Sequence, residues 1–206
     1  MSCSKKDQAH LEKQDAILLY KQQLMKITTQ IFLIADTHFG HNKIWQEWGY
    51  RDEFFELQII QAWNETVSLE DTVLHLGDLT LAGFERTLEW TEQLMGKKYL
   101  IRGNHDYKPE NWYRDLGFQT IPDAYKQVGF RDGSLMQILF THEPVLELPL
   151  GWFNIHGHLH GDMHRDIETT ANHFDVGVDV LGYKPIRLST VLDQLKLNTK
   201  DRSNLR

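Results

Sequence analysis

Four of the chain's histidines lie within nine positions, in the segment FNIHGHLHGDMH at residues 153–164. They are His156, His158, His160 and His164. Imidazole is the commonest ligand of protein-bound metals, so this density suggests a metal site. One segment this short cannot complete a coordination shell, and the missing ligands are therefore expected elsewhere in the sequence.

Four further segments place acidic, amide or imidazole residues directly after a short apolar run. They are Asp36-Thr37-His38-Phe39-Gly40-His41, Gly77-Asp78, Gly103-Asn104-His105-Asp106 and Thr141-His142. The apolar runs predict buried strands, and the carboxyl ends of strands in an α/β sheet share one edge, where ligands bind. We therefore expect all five segments to meet at that edge. Asp36 and His38, at i and i+2 of an extended segment, would then point the same way.

These residue types suit two hard-to-borderline divalent cations. Carboxylate and amide oxygens supply charge and hardness, and neutral imidazoles supply affinity. An Asp at a tight Gly-Asp turn can bridge two ions through its two oxygens. The glycines at 77, 103 and 157 are expected to allow close backbone approach and a positive φ. Two cations about 3.5 to 4 Å apart are standard for displacement at phosphorus, because they acidify a water and clamp phosphoryl oxygens.

Alternating strands and helices are expected to position these segments. Short apolar runs indicate buried strands, and apolar residues at i, i+4 and i+7 indicate helices. Strands are predicted at 30–35, 72–76, 98–102, 125–129, 135–141, 153–156 and 174–180, and helices at 53–67, 84–95 and 109–116 and after a capping Ser189. A βαβαβα first half and a strand-rich second half predict a layered α/β sandwich.

Size and composition are those of one domain. For 206 residues, we expect a helical N-terminal extension at 1–27, a single domain at 28–198 and a tail at 199–206. The formal charge of −7 gives no sign of a broad basic surface for duplex DNA or anionic membrane. Cys3 is the only cysteine, so no disulfide framework or thiolate cluster is expected, and a reducing cytoplasm fits best. No apolar run is long enough to span a membrane.

The blocks DTHFGH, GDL, GNHD, THEP and GHLH, in this order, resemble the signature of the calcineurin-like metallophosphoesterases, in particular small single-domain bacterial, archaeal and phage phosphoesterases. The resemblance covers about residues 28 to 195. It implies a four-layer α-β-β-α sandwich with two mixed sheets. Carried over to this chain, it implies that Asp36, His38 and His160 bind one metal, that Asn104, His142 and His158 bind the other, and that Asp78 bridges them.

The resemblance also implies roles around the metals. His105 would be the general acid or a phosphate-binding group, oriented by Asp106. His41 belongs to the first block, and it would either support the ligands or contact substrate. His164 and Arg165 follow the last block closely enough to touch a substrate phosphate.

The expected activity is hydrolysis of phosphate esters by in-line attack of a hydroxide that bridges the two metals. We expect manganese first, with iron, zinc, nickel or magnesium as alternatives. The segment GDLTLAG lacks the second Asp and the Arg of GDxxDRG, which disfavours protein phosphatases and dinucleoside-tetraphosphatases. A phosphodiesterase for small or single-stranded nucleotide diesters is therefore expected, with no membrane or stable duplex DNA as partner.

Three alternatives stay open on the sequence. The first is a phosphomonoesterase or pyrophosphatase with the same metal site. The second is a non-catalytic metal-binding scaffold for protein interactions. The third is a mononuclear zinc hydrolase that uses His156, His158 and His160 and leaves the carboxylates without a role.

Overall fold

Two β-sheets form the centre of the fold. The structure, a computed structural model, describes residues 27–47, 49–129, 135–161 and 167–203, so most of the predicted N-terminal helix, His164 and Arg165 lie outside the described residues. The strands are β1 (Phe32–Ile34), β2 (Thr72–His75), β3 (Lys97–Ile101), β4 (Phe118–Ile121), β5 (Ala124–Gly129), β6 (Leu135–Phe140), β7 (Trp152–His156), β8 (His173–Asp175) and β9 (Ile186–Arg187). The helices are α1 (Asn42–Gln46), α2 (Phe55–Thr66), α3 (Phe84–Thr91), α4 (Glu110–Asp115), α5 (Val178–Leu181) and α6 (Leu188–Ser203).

Both sheets are mixed. The first has the order β4-β3-β2-β1-β9, in which β1 to β4 are parallel and β9 runs antiparallel to β1. The second has the order β5-β6-β7-β8, in which only the β5–β6 pair is antiparallel. The predicted α/β sandwich with two mixed sheets is confirmed.

Side chains on opposite faces of the first sheet enter two different cores. Phe32 and Ile34 of β1 pack with helical residues such as Ile59 of α2. Leu33, between them, packs into the other core, which includes Ile138 of the second sheet. Because both faces of the sheet are covered there, β1 and β2 are continuous apolar runs rather than alternating ones. The polar residues of these two segments therefore lie at or beyond the strand ends.

The second half of the chain departs from the prediction after β8. A strand was expected at 174–180, but the strand ends at Asp175, whose Oδ1 accepts the amide proton of Gly177 (2.7 Å). This turn stops the strand, and α5 begins at Val178. The short strands β4 and β9 and the short helix α1 were not predicted, and α6 begins at Leu188, before the expected cap at Ser189. No helix in the described ranges has the length and apolarity needed to cross a membrane.

Candidate metal centre

The ends of strands β1, β2, β3, β6 and β7 meet at one edge of the sandwich. Backbone hydrogen bonds join them: the Asp36 amide donates to Gly77 O (3.0 Å), and the Gly157 amide donates to His142 O (3.0 Å). The amide of His158 donates to Asp36 Oδ2 (2.8 Å), and the amide of His105 donates to Asp78 Oδ1 (2.9 Å). The five polar segments are therefore neighbours, as the expected sheet topology requires.

One cluster of possible ligands consists of Asp36, His38 and His160. One ligand atom from each lies within 4.8 Å of the other two. The Nε2 atoms of the two histidines are only 3.1 Å apart, and their rings stack at 4.8 Å. His160 donates from Nδ1 to Asp179 Oδ2 (2.7 Å), so Nε2 of the neutral ring carries a lone pair. This geometry could hold a cation between the two imidazoles.

A second cluster consists of Asn104, His142 and His158. Asn104 Oδ1 lies 3.0 Å from His142 Nε2 and 3.2 Å from His158 Nδ1, and the two ring nitrogens are 3.3 Å apart. His142 hydrogen-bonds Leu76 O through Nδ1 (2.8 Å), which leaves Nε2 of the neutral ring as an acceptor. One amide oxygen and two ring nitrogens therefore converge.

Asp78 lies between the two clusters. Its Oδ2 atom is 3.4 Å from His38 Nε2 and also 3.4 Å from His142 Nε2. Its Oδ1 atom accepts the His105 amide, so a single carboxylate oxygen faces both clusters. The sequence suggested that each oxygen would face one ion. The structure instead has one oxygen directed at both clusters and the other held by the backbone.

Two buried atoms of the first cluster make the arrangement suitable for a cation. Asp36 Oδ1 and His38 Nδ1 are fully buried and hydrogen-bond to no described residue. Burial raises the pKa of Asp36 to about 7, and it lowers the pKa of His38 well below its ordinary value. A buried carboxylate oxygen without a hydrogen bond is costly, and a neutral imidazole is the ligand form that metals require. These residues therefore fit a divalent cation.

The charge of His142 balances the carboxylates beside it. Burial alone would lower its pKa, but the hydrogen bond to Asp78 and the charges of Asp36 and Asp78 raise it to about 9. A protonated His142 therefore stands where a cation could neutralise the same carboxylates. Since a metal-bound imidazole must be neutral, cation binding at this position would release that proton.

The backbone of these residues is unusual. Asp36, His38, Asp78, His158 and His160 have φ values of 58°, 48°, 58°, 71° and 49°. Asp36 and His38 direct ligand atoms to one cluster, as expected, but the predicted extended segment is wrong, because both residues have a positive φ. Such residues are uncommon outside glycine, and they concentrate at functional sites.

Gly77, Gly103 and Gly157 are required for different structural reasons. Gly77 has a positive φ of 96°, as predicted. Gly103 and Gly157 lack a positive φ, but a Cβ at either position would collide with a candidate ligand. At Gly103 it would meet the carboxylate of Asp78, and at Gly157 that of Asp36. Close packing, rather than φ, therefore requires glycine at these two positions.

The expected catalytic pair lies beside the clusters. The His105 side chain is 43% exposed, with Nε2 at 3.9 Å from Asp78 Oδ2 and its ring 5.4 Å from that of His38. The Asp106 carboxylate accepts the amide protons of Asp78 (2.7 Å), Gly103 (2.9 Å) and Leu79 (3.2 Å), and it makes no hydrogen bond to the His105 ring. Asp106 therefore joins two of the polar turns.

His41 and His156, two other histidines considered in the sequence, differ in how far they are buried. The His41 ring packs edge-on against His38 at 5.5 Å. His156 is buried, and its Nδ1 donates to Gly157 O (2.8 Å), so its ring lies within the strand end. The two ligand groupings found among the described histidines and acidic residues combine Asp36 with His38 and His160, or with Asp78 and His142. Neither contains His156, which disfavours the three-imidazole site.

Two residues at the site were missed by the sequence reasoning. Asp179 accepts the His160 Nδ1 proton, and Arg51 makes a bidentate ion pair with Asp179 (2.8 and 2.7 Å). Arg51 lies in the loop before α2, and Asp179 lies in a segment predicted to be strand. No motif links them, so only the folded structure reveals the contact.

A groove of ≈ 470 Å³ opens beside the second cluster. Asn104 and His142 form part of its lining. Arg102 provides a cationic side chain, and Asp123 and Glu143 provide acidic ones. The groove is therefore continuous with the candidate ligands and offers space for a substrate group.

Comparisons with known proteins agree with this geometry. The family profile described as calcineurin-like phosphoesterase matches residues 29–192. An uncharacterized protein of Methanocaldococcus jannaschii is 31% identical over an alignment of 175 residues, which covers 79% of this chain and 89% of that protein. The Gene 66 protein of Mycobacterium phage D29 is 27% identical over an alignment of 177 residues, which covers 73% of this chain and 88% of the phage protein.

A solved structure shares the architecture. The crystal structure of a protein of unknown function from Aquifex aeolicus has a TM-score of 0.56 and 26% identity, covering 76% of this chain and 94% of that one. The family profile spans every strand end that contributes to the two clusters. The chain therefore belongs to the calcineurin-like phosphoesterase family.

Proposed function

We propose that the chain is a metal-dependent hydrolase of phosphate esters that uses two divalent cations. Asp36, His38 and His160 would hold one, Asn104, His142 and His158 would hold the other, and Asp78 would contact both. The observation that carries the proposal is the position of Asp78 Oδ2, 3.4 Å from a ring nitrogen of each cluster. When bound, two such cations lower the pKa of water and neutralise phosphoryl oxygens.

The chain's own residues provide the remaining chemistry. His105 is half exposed, and its Nε2 lies 3.9 Å from Asp78 Oδ2, so it can reach a substrate held above the clusters. There it would donate a proton to the leaving oxygen, a contribution of roughly 10² to 10⁴ in rate. Asp106 would act indirectly, by holding the turns that carry Asp78 and His105 through three backbone amides.

We further propose a phosphodiester substrate, of small or single-stranded nucleotides. The groove beside Asn104 and His142 can take a second substituent on phosphorus, and Arg102 can contact an anionic group of it. The formal charge of −7 opposes stable binding of a duplex. Manganese remains our expected cation, because the carboxylate and amide oxygens of the two clusters suit it. The single cysteine keeps the cytoplasm as the expected location.

A substrate panel tests the function. Metal-stripped protein would receive Mn²⁺ and be assayed on an aryl phosphodiester, linear dinucleotides, cyclic nucleotides, monoesters and pyrophosphate. We expect the diesters to be hydrolysed fastest, and the variant Asp78→Ala to lose both Mn²⁺ binding and turnover. Preferential hydrolysis of monoesters or pyrophosphate would refute the diester proposal. Two bound Mn²⁺ with no turnover on any substrate would favour a non-catalytic protein.

A further inference from the structure

We propose that Arg51 and Asp179 position the ligands of one cation, the one assigned to Asp36, His38 and His160. This inference rests on the proposed two-cation function and assigns a role to two residues outside both ligand clusters. Neither residue would contact the cation or the substrate. Both would act through the candidate ligands, one through a side chain and the other through the backbone.

Asp179 fixes the ring of His160. Its Oδ2 accepts the Nδ1 proton at 2.7 Å, which sets the tautomer and directs Nε2 towards His38. Carboxylates in this position orient a ligating imidazole and raise its basicity, and their loss weakens metal affinity by about 10- to 100-fold. Asp179 lies 19 residues beyond His160, at the start of α5, so the contact joins two elements.

Arg51 fixes the other two ligands through their backbone. Its Nη2 donates to Asp36 O (2.8 Å), and its Nη1 donates to Thr37 O (2.8 Å). These carbonyls lie in the turn where Asp36 and His38 both have a positive φ. Left-handed non-glycine residues cost about 1–3 kcal/mol each and persist only when surrounding contacts hold them. The guanidinium provides two such contacts.

The same guanidinium also binds Asp179, through Nε to Oδ1 (2.8 Å) and Nη2 to Oδ2 (2.7 Å). The Arg51 side chain is 0% exposed, and the Asp179 side chain is 15% exposed. A lysine could not replace the arginine, because an ammonium lacks the planar fork that makes these bonds together. One buried side chain therefore ties the Asp36 turn to the partner of His160.

The second cluster uses different supports. His142 is oriented by Leu76 O (2.8 Å), and the amide of His105 holds Asp78. Neither contact involves Arg51 or Asp179. Loss of the Arg51-Asp179 pair should therefore weaken one cation site and spare the other.

Mn²⁺ titration of the full-length protein tests this selectivity. Calorimetry would measure Mn²⁺ binding by wild type, Asp179→Asn, Arg51→Met and Arg51→Lys. We expect two Mn²⁺ in wild type, and in each variant one site weakened by about 10- to 100-fold with the other unchanged. Electron paramagnetic resonance at two Mn²⁺ per chain should then change from the signal of a spin-coupled pair in wild type to that of an isolated ion in the variants, which a general loss of stability would not produce.

Arg114→Met is the matched control, because Arg114 also pairs with a carboxylate, that of Asp115, but its side chain is 70% exposed. It should bind two Mn²⁺ as wild type does. Unchanged affinity in the Asp179 and Arg51 variants, or equal weakening of both sites, would overturn the inference. If Arg51→Met does not fold, the Mn²⁺ titration of Asp179→Asn alone tests the inference. Wild type that binds fewer than two Mn²⁺ would instead refute the two-cation function.

Discussion

His75 should make folding sensitive to acid, through a contact that supports the candidate metal centre. It is fully buried at the end of β2, with Nε2 3.0 Å from the hydroxyl of Thr37. That hydroxyl donates to Leu79 O (2.8 Å), so the ring must donate its Nε2 proton to the hydroxyl. Thr37 lies between Asp36 and His38, and His75 therefore holds the turn that carries both.

The size of the effect follows from the pKa of His75. Burial lowers it from an ordinary value of 6.5 to about 3. Between these pH values His75 is protonated in the unfolded chain but not in the folded protein. The free energy of unfolding therefore falls as the pH is lowered below 6.5. At pH 5 the loss is about 2 kcal/mol, since each pKa unit is worth about 1.4 kcal/mol.

Urea unfolding of metal-stripped wild type and His75→Gln at pH 8 and pH 5 would measure this. The glutamine amide can donate to Thr37 but does not titrate. We expect wild type to lose about 2 kcal/mol more than the variant between the two pH values, or about 4–8 °C in Tm. The other histidines titrate in both proteins and cancel in the difference. Equal losses in the two proteins would refute the reasoning.

Two further substitutions test the catalytic role of His105 and the close packing at Gly157. His105→Gln should keep both Mn²⁺ ions but lower kcat on an aryl phosphodiester by roughly 10²- to 10⁴-fold; an unchanged kcat would show that His105 is not the acid. Gly157→Ala places a Cβ against Ala35 and the Asp36 carboxylate, and it should lower the free energy of unfolding by about 1–3 kcal/mol and weaken Mn²⁺ binding. Gly83→Ala is its control, since a Cβ there meets nothing within 4 Å and φ is −71°. Similar losses in the two alanine variants would contradict the packing argument.

The fold was predictable where apolar runs are long and their ends are polar. The strands β1 and β2 lie within their predicted ranges, and β3 begins and ends one residue earlier than predicted, because burial on both faces leaves an unambiguous apolar run. The segment after β8 was predicted wrongly, since the apolar residues of FDVGVDV suit a strand as well as a short helix. The hydrogen bond that the Gly177 amide donates to the Asp175 side chain decides between them.

The site was predictable in its members but not in its supports. The residues of the two clusters follow strand ends, and sheet topology alone brings strand ends together. Arg51 and Asp179 are 128 residues apart, and neither follows a predicted strand. Their contact depends on the packing of a loop against α5, and no local sequence pattern predicts that packing. The roles of the candidate ligands and of His105 stay predictions until metal binding and turnover are measured.

The left-handed backbone explains how Asp36 and His38 direct ligand atoms to one cluster although their segment is not extended as predicted. All five of the candidate ligands with positive φ are Asp or His. These types are among the non-glycine residues most tolerant of that conformation, and they are also the types that bind divalent cations through oxygen and imidazole nitrogen. The same side chains can therefore complete tight turns after buried strands and direct ligand atoms to one point. Strain of about 1–3 kcal/mol per residue would still be large against a total stability of about 5–15 kcal/mol. It must be offset by contacts between the turns, such as the hydrogen bond from the His38 amide to Asp78 O (3.0 Å), and a bound cation would add to them.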